Sequence, residues 1–521
     1  MKKILSLLHD QNKNFKIFAI IFSIYCALIL GISWDENYYK ILGEKNLSYL
    51  LSFGIIESEY FSKFRYSTIY WSFSSLIGQI IPEKFSDQFY HLLNTFFGLL
   101  VIVGVYKIAK LLFNKSIGII CSLFLFFLPT FFGHLAINNK DTILALSHVW
   151  IFYYLIKYNS QNYSNLTKLK IIGKIAFFSA LGTGIQLLFL GSTLPLVIYF
   201  LYNYFFIKKR KLKALIIDFL IFITIFYLIL VLFWVDAHPN IFTLPYKFFL
   251  TTLTLDIGWP FNVSNGNYFF SKEAPFYYIF ENLLFKLPEF IIYLYLVFIF
   301  ILLLNYKKLK KKYFNLNKHL ILFISILLYP SIIILFIPYP IYDGLRLFLW
   351  FIPYIVFIPA IVLDFVYNNL KYIQFKLISI LFALLFLYHL FNFFSITPYQ
   401  YTYLNSLNGK KINRYQKFEG DYWSVSLKEL VFKSKLNSDK QIRYATCGLN
   451  SEIAKIYMKK KYKNTLNTNI ENAQYLILTN RTLYSQKMGK ISNCFDEFNF
   501  KNIFYVKRNG VILSAIKKID K

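Results

Sequence analysis

Long apolar runs alternate with short basic segments along most of this chain. Many of the runs reach the roughly 18 to 20 apolar residues that are needed to cross a bilayer. Because the Lys and Arg clusters fall on alternate sides of successive runs, the pattern predicts about eleven transmembrane helices with the amino terminus in the cytoplasm. The predicted spans are 15–33, 91–111, 116–134, 142–158, 173–190, 193–207, 214–235, 288–305, 319–338, 346–367 and 373–395.

The segment IYWSFSSLIGQII, residues 69–81, departs from this pattern. It is too short and too polar for a span, and counting it as one would break the alternation of the basic clusters. We therefore expect an interfacial or re-entrant helix here, within an outer loop that covers 34–90. A second long outer loop is predicted over 236–286, between the seventh and eighth spans.

The pattern changes after the last span. QIRYATCG and AQYLILTN read as strands, SEIAKIYMKK as a short amphipathic helix, and FYVKRNGVILSAI as a hairpin turning at Asn509-Gly510. A transmembrane domain over 1–396 is thus predicted to precede a small extracytoplasmic α/β domain over 397–521. Cys447 and Cys494 lie in the second domain and could pair outside the cytoplasm, although the sequence does not establish that they do.

The composition agrees with a membrane protein. Hydrophobic residues make up 57% of the chain and charged residues 16%, with a mean hydropathy of +0.47. Soluble domains carry about 25% charged residues. The net charge of +31 does not indicate a nucleic-acid partner, because the lysines cluster between apolar runs as membrane topology requires. The fold class is therefore predicted as a mainly α, polytopic membrane protein.

Polar and charged side chains collect at the predicted outer ends of the spans. Asp35 and Glu36 directly follow the first span in LILGISWDENYYK. The other outer groups are His134, Asn139, Lys140 and Asp141 in GHLAINNKD, Asp236 and His238 in VDAHPN, and Tyr342, Asp343 and Arg346 in YPIYDGLR. Four patches that are distant in sequence are thus predicted to share one face.

These residue types suit one kind of reaction. A carboxylate can take a proton from a hydroxyl or hold a metal ion. Lys140 and Arg346 can pair with a phosphate, and arginine does so through two parallel bonds. An acid that activates a hydroxyl and cations that hold a leaving phosphate are the minimum set for moving a group from a phospholipid carrier.

The chain also resembles the polytopic glycosyltransferases that use polyprenyl-phosphate sugars, which include protein O-mannosyltransferases and lipid A aminoarabinose transferases. SWDENYY matches the acids that these enzymes carry directly after their first helix, and NNKD resembles their second acidic site. APFYYIFENLLFKLPEFIIYL, residues 274–294, resembles their aromatic-rich loop. The resemblance covers most of 15–395 and implies a GT-C fold.

The resemblance implies an inverting transfer of a sugar from a polyprenyl-phosphate donor to a hydroxyl of a lipid, glycan or protein acceptor. Asp35 aligns with the catalytic carboxylate, and we expect Glu36 and Asp141 to act with it. The expected substrate-binding residues are Lys140, Arg346, Tyr342, Asp343, His238 and Asn139. A divalent metal ion is possible, with His134 and His238 as candidate ligands, and no other cofactor is expected. The implied location is the bacterial inner membrane.

Other interpretations stay open at this stage. The protein could be a lipid-linked glycan ligase or polymerase, a lipid or sugar transporter, or an inactive scaffold. Asp141 could cap a helix, and Lys140 and Arg346 could be interfacial residues. Asp236, Glu289 and Asp343 could be hydrogen-bonded loop or cap acids, and we expect Asp218 and Asp364 to be solvated or paired near inner ends. The sugar and the acceptor are not determined, and 399–423 carries no assigned chemistry.

Overall fold

Apolar runs of the sequence form α-helices in the computed structural model, which describes residues 12–55, 66–161, 163–252, 258–336, 339–437 and 441–519. The first part of the chain is almost entirely helical. Its helices are α1 (Asn12–Ile29), α2 (Glu36–Leu51), α3 (Ile69–Gly78), α4 (Ser86–Leu112), α5 (Lys115–Phe126), α6 (Asp141–Ser160), α7 (Asn165–Ile185), α8 (Leu194–Tyr202), α9 (Leu212–Leu232), α10 (Leu244–Thr252), α11 (Tyr278–Lys286), α12 (Glu289–Lys312), α13 (Leu316–Phe336), α14 (Phe357–Asn368) and α15 (Ile373–Ser395).

Five helices within the described ranges are long and apolar enough to cross a membrane. They are α4 with its preceding turn, α9, α12, α13 and α15. Shorter apolar helices occupy three other predicted spans, at Lys115–Phe126, Leu194–Ile207 and Ile352–Asn368. The prediction of a mainly α membrane protein is confirmed, while the count of about eleven spans stays a prediction.

The tenth predicted span is not one continuous helix. Instead of a helix over 346–367, the chain makes short 3-10 turns at Arg346–Phe348 and Ile352–Tyr354 before α14 begins at Phe357. Proline lacks the N–H that a helix interior needs, and FIPYIVFIPA carries two prolines. The expectation of a helix beginning at Arg346 is therefore wrong, and Arg346 lies on irregular backbone.

The segment at 69–81 forms a short helix, as predicted from its length. Helix α3 has 10 residues, and its Trp71 ring stacks on Tyr39 of α2 with 4.3 Å between centroids. The Thr68 N–H donates to the Phe233 carbonyl oxygen at 2.9 Å, which ties the start of α3 to the end of α9. The outer segment 66–78 is thus held against helices rather than extending away from them.

The loop predicted over 236–286 contains regular structure that the sequence did not indicate. Strands β1 (Phe261–Ser264) and β2 (Asn267–Phe270) form an antiparallel hairpin. Its turn uses positive φ at Asn265 (48°) and Gly266 (88°), which suits a tight hairpin. The Gly266 N–H donates to the Lys417 carbonyl at 3.1 Å, so this loop is tied to the carboxyl-terminal region.

The carboxyl-terminal region is built around a mixed sheet, as predicted. The five-stranded sheet has the order β4-β3-β5-β9-β8, in which β3 is parallel to both neighbours and the other pairs are antiparallel. Its strands and helices are β3 (Ile442–Cys447), β4 (Thr465–Asn467), β5 (Tyr475–Thr479), β8 (Lys501–Arg508), β9 (Val511–Lys518), α16 (Leu427–Lys433) and α17 (Ser451–Lys461). A separate hairpin joins β6 (Thr482–Ser485) to β7 (Lys490–Asn493).

One local prediction for this region is confirmed, and one question that the sequence left open is answered. The β8–β9 hairpin turns at Asn509 and Gly510, whose φ values are 44° and 85°. Cys447 and Cys494 form a disulfide that joins the end of β3 to the short helical turn after β7. The disulfide lies beside the sheet and fixes that turn against it.

The carboxyl-terminal region packs directly on the exit of α1. The Ile32 N–H donates to the Tyr457 hydroxyl at 2.8 Å, and the Lys428 ammonium donates to the Leu30 carbonyl at 3.0 Å. A Cβ at Gly31 would lie 2.6 Å from the Val425 carbonyl oxygen, so only glycine allows this approach. The backbone that leads to Asp35 is therefore held against the carboxyl-terminal region.

Candidate active site

Asp35 lies between α1 and α2, with its carboxylate free of any capping bond. It occupies the position before α2 but accepts no side-chain capping hydrogen bond there. Its Oδ2 lies 3.4 Å from a terminal nitrogen of Arg346. The Asp35 side chain is 37% exposed, which leaves this carboxylate accessible from outside the cluster.

Arg346 is shared by three carboxylates. Besides Asp35, its guanidinium lies 3.7 Å from Oδ2 of Asp141 and 3.3 Å from Oδ2 of Asp343. The guanidinium carbon lies 5.1 Å from the Tyr342 ring centre and 4.7 Å from the Trp423 ring centre. The Arg346 side chain is only 5% exposed, so the cation is fixed by acids and aromatic faces.

Asp141 is positioned by the turn that precedes α6. The Asn138 side-chain oxygen accepts from the N–H groups of Lys140 and Asp141 at 3.2 Å and 2.8 Å. The Asn138 amide also donates to Oδ2 of Asp141 at 3.0 Å. Because Asn138 supplies the oxygen at this helix start, the Asp141 carboxylate is left to face Arg346. This geometry argues against the capping role considered for Asp141.

Asp343 adopts a backbone conformation that L-residues rarely use. Its φ is 58°, and that of the following Gly344 is 64°. A non-glycine residue in the left-handed region costs free energy, and such strain is concentrated at functional sites. A Cβ at Gly344 would lie 2.1 Å from Nζ of Lys286, so glycine makes room for that ammonium. The turn thus brings Asp343 and Lys286 into one cluster.

The carboxyl-terminal region supplies a second arginine to the cluster. Arg481 donates to Oδ1 of Asp343 at 2.7 Å and to the Tyr422 carbonyl at 2.8 Å. Its guanidinium carbon lies 4.6 Å from the Trp259 ring centre. Glu419 accepts from the backbone and hydroxyl of Thr482, both at 2.7 Å, and lies 4.0 Å from Arg481. Burial raises the pKa of Glu419, and Arg481 offsets only part of the effect.

Four polar atoms of this cluster have no hydrogen-bond partner among the described residues. They are Oδ2 of Asp343, Nε of Arg346, Oε2 of Glu419 and Nε of Arg481. The ion-pair contacts named above are too long or too poorly aligned to satisfy them as hydrogen bonds. Buried polar atoms are satisfied in the great majority of cases, so four orphans in one place indicate an incomplete site.

Two lysines border the acids without belonging to any described ion pair. Nζ of Lys140 contacts the Tyr66 hydroxyl at 3.4 Å. Burial lowers the pKa of Lys140, but Tyr66 and Asp141 raise it by more, so the net pKa is raised. Lys286 lies over the Phe418 ring at 5.1 Å, and burial lowers its pKa to about 8 despite Glu419 and Asp343 nearby. Both cations are available to an anionic ligand.

The remaining predicted residues do not all join this cluster. Glu36 accepts from the Ser33 N–H and lies 2.9 Å from Nε2 of His91. Glu36 and Asn139 line a separate small cavity beside α2 and α4. His238 makes its hydrogen bond with the Val231 carbonyl at 3.0 Å. The adjacent acids therefore diverge, and His238 lies outside the Arg346 cluster. That the four patches share one face of the membrane stays a prediction.

The histidines are engaged in hydrogen bonds, and the acids surround an arginine. His134 bonds the Thr130 carbonyl at 2.6 Å through Nδ1 and the Tyr422 hydroxyl at 2.8 Å through Nε2. Within the described ranges, no group of three or more His, Cys, Asp and Glu side chains is arranged to hold a metal ion. Since Arg346 fills the position between the three aspartates, these residues do not fit the divalent metal that was considered.

Sequence reasoning missed Lys286, Glu419 and Arg481. Lys286 ends α11 and precedes Pro288, in the aromatic-rich loop that the resemblance already marked. Glu419 lies in 399–423, which had been singled out without an assigned chemistry. Arg481 follows a strand without any local signal, because its partner Asp343 is 138 residues away.

Comparison with known proteins finds likeness in structure but not in sequence. The sequence matches no family model and no curated protein. Among solved structures, apo ArnT from Cupriavidus metallidurans has a TM-score of 0.52 and 10% identity, covering 97% of this chain and 98% of that one. The same enzyme bound to undecaprenyl phosphate has a TM-score of 0.51 and 12% identity over the same shares.

A third similar structure is the archaeal oligosaccharyltransferase AglB from Archaeoglobus fulgidus, determined with an inhibitory peptide and a dolichol-phosphate. Its TM-score is 0.48 and its identity 10%, over 97% of this chain and 76% of that chain. At these identities the likeness concerns the fold. The resemblance drawn from SWDENYY and NNKD is confirmed at that level, and the chain has the GT-C fold of ArnT along nearly its whole length.

Proposed function

We propose that this protein is an inverting glycosyltransferase that moves a sugar from a polyprenyl-phosphate carrier to an acceptor hydroxyl. One observation carries the proposal. Asp35 is the accessible member of a buried cluster in which Arg346 also contacts Asp141 and Asp343, whose side chains are 3% and 1% exposed. A carboxylate that a substrate can reach, held next to cations, suits proton removal beside a leaving phosphate.

Asp35 is the general base in this mechanism. It accepts the proton of the acceptor hydroxyl, whose oxygen attacks the anomeric carbon of the donor sugar. The bond from that carbon to the phosphate oxygen breaks, and the polyprenyl phosphate leaves with the bonding electron pair. Attack from the face opposite the phosphate inverts the anomeric configuration. Arg346 fixes the orientation of the Asp35 carboxylate through the 3.4 Å contact.

The phosphate is held by Lys140 and Lys286. The charge of Arg346 is already compensated by three carboxylates, whereas neither lysine takes part in a described ion pair. The donor class is supported by the structure of ArnT bound to undecaprenyl phosphate, on the same fold. Arg346, first considered as a phosphate ligand, is in this mechanism the residue that organises the acids.

We also propose a membrane topology for this chain. About eleven spans would form a domain over 1–396, with the cluster at its outer face and 397–521 outside the membrane. The bacterial inner membrane would then supply the lipid carrier. A transporter is less well supported, because it would need ionisable groups near the middle of the spans, whereas the four unsatisfied atoms of the Arg346 cluster lie together where outer loops meet the carboxyl-terminal region.

The test compares the purified protein with its Asp35→Asn variant on a panel of radiolabelled polyprenyl-phosphate sugars. Asp35→Asn keeps the shape but removes the base, so we expect the release of polyprenyl phosphate to fall by about 10²–10⁴-fold. Glu44→Gln, an exposed acid on α2, is the matched control and should keep full activity. Equal turnover by Asp35→Asn would remove the general base, and no turnover across the panel by folded protein would refute the donor class.

A further inference from the structure

A polar crevice of the carboxyl-terminal sheet lies beside the candidate active site. Its volume is about 780 Å³. It is bounded by the end of β3, by the segment that follows β4, and by the β6–β7 hairpin. The carboxyl ends of parallel strands are where open α/β sheets bind their ligands. The position is thus one where a ligand is expected, and the proposed mechanism does not use it.

The chemistry of the lining excludes an anionic ligand. The chain has 57 Lys and Arg residues, yet none of the described residues that line the crevice is basic. Glu471 and Glu497 line it instead, so a lipid phosphate or a nucleic acid would meet negative charge. Most of the other polar groups are uncharged amides and hydroxyls, supplied by Asn467, Thr468, Asn469 and Gln486. The lining is suited to a ligand with many hydroxyl groups.

Two side chains of the crevice offer contacts to such a ligand. Oε2 of Glu497 is buried and has no hydrogen-bond partner among the described residues, so it needs a donor. Tyr484 is 48% exposed and lines the crevice beside the apolar Leu483 and Phe498, while its hydroxyl donates to the Gly489 carbonyl. A sugar offers O–H donors to the carboxylate and amides, and an apolar C–H face to the tyrosine ring.

The crevice and the candidate active site share one strand. Thr482, the first residue of β6, donates its hydroxyl to Glu419 and accepts from the Trp259 indole at 3.0 Å. Tyr484 is two residues further along the same strand, a distance of about 7 Å. Strand β6 therefore joins Tyr484 in the crevice to the Arg481 side of the cluster.

We propose that this crevice binds the acceptor, and that the acceptor is an oligosaccharide without acidic groups. The sugars beyond the receiving hydroxyl would lie on Tyr484 and bond to Glu497 and the neighbouring amides, while the hydroxyl itself reaches Asp35. The inference rests on the proposed function, since it assigns the acceptor class for the same reaction.

The test measures the binding of saccharides to the full-length protein in detergent, in the absence of donor, by calorimetry. The probes are chitohexaose, mannohexaose, cellohexaose and a glucosamine hexamer. We expect at least one to bind, and Tyr484→Ala to weaken its binding by about tenfold through loss of the ring face. Tyr484→Phe should keep the affinity. Tyr505→Ala, which removes a tyrosine of similar exposure (46%) on β8, is the matched control and should keep it too.

Several outcomes would overturn the assignment: no hexasaccharide bound by folded protein, equal weakening by Tyr505→Ala, or binding of unglycosylated peptides at Tyr484 in place of saccharides. The Asp35→Asn variant separates this inference from the reaction itself, because it lacks the proposed base but keeps the crevice, and it should still bind the saccharide. Saccharide binding without any sugar transfer would keep the crevice assignment and refute the proposed function. Transfer without saccharide binding would do the reverse.

Discussion

Buried ion pairs occur in two parts of the helical region, and they are built differently. At the predicted inner ends, each acid has its own cation: Lys168 lies 2.9 Å from Asp218, and Lys312 lies 2.6 Å from Asp364. A tyrosine hydroxyl closes each pair, from Tyr158 to Asp218 and from Tyr313 to Asp364. Of the two states expected for these acids, solvated or paired, both adopt the paired one, and their hydrogen-bonding capacity is used within the fold.

The Arg346 cluster is open by comparison. One arginine serves three carboxylates, two lysines stand outside every described ion pair, and four buried polar atoms lack hydrogen bonds. An ion pair whose hydrogen bonds are all made within the protein contributes to the structure. Buried polar groups without hydrogen-bond partners cost free energy unless a ligand supplies those bonds. In this protein, therefore, the buried acids whose hydrogen bonds are all made within the fold are structural, and those beside unsatisfied polar groups are the candidate catalytic acids.

The largest effect is expected from removing the shared cation. Arg346→Met leaves Asp141 and Asp343 buried with too little positive charge, so the free energy of unfolding should fall by about 3–5 kcal/mol and sugar transfer should be lost. Thermal unfolding in detergent measures the first effect. Adding Asp141→Asn should restore part of the stability but none of the activity. Arg443→Met, at an exposed arginine, should change neither the stability nor sugar transfer. Full activity of Arg346→Met would contradict the assignment of the Arg346 cluster to the active site.

Breaking an ion pair at the predicted inner ends should lower the stability of the protein but not its activity. Lys312→Met leaves Asp364 without its cation, and since the Lys312 side chain is 27% exposed we expect a loss of about 2–3 kcal/mol, at the low end for buried pairs. Sugar transfer per folded molecule should stay unchanged. Unfolding and transfer assays on the same preparations decide this. If activity fell further than the amount of folded protein, the inner pairs could not be regarded as purely structural.

The smallest effect is expected in the pH dependence of kcat/KM for the donor, through Lys286 of the Arg346 cluster. Burial lowers the pKa of Lys286 to about 8, so the ammonium is charged below that pH and becomes neutral above it. If the charge holds the donor phosphate, kcat/KM for the donor should fall by about tenfold from about pH 7 to about pH 9. Lys286→Arg, which stays charged, should flatten the profile. A profile identical in both proteins would exclude Lys286 from phosphate binding.

Local patterns account for the predictions that were confirmed. Apolar runs produced the long helices, such as α9 and α15, because a run of that length has no other stable arrangement in a bilayer. Asn509-Gly510 predicted its hairpin because both residues tolerate positive φ. SWDENYY and NNKD marked Asp35 and Asp141, both of which contact Arg346.

Predictions failed where distant parts of the chain decide the outcome. Glu36 has the same local sequence context as Asp35, yet it pairs with His91 on α4. No periodicity distinguishes two adjacent acids, because which of them meets the arginine depends on how α1, α2 and α4 pack.

By itself the sequence determined the membrane character, most of the helices, the carboxyl-terminal sheet and the candidate catalytic acids. These follow from hydropathy, turn chemistry and residue type, which act over a few neighbouring positions. Only the tertiary structure decided that Asp35 rather than Glu36 joins Arg346, and that Arg481, Glu419 and Lys286 complete the cluster. The Asp35–Arg346 and Asp343–Arg481 contacts join residues 311 and 138 positions apart, and ion-pair geometry over such separations is set by packing rather than by local pattern.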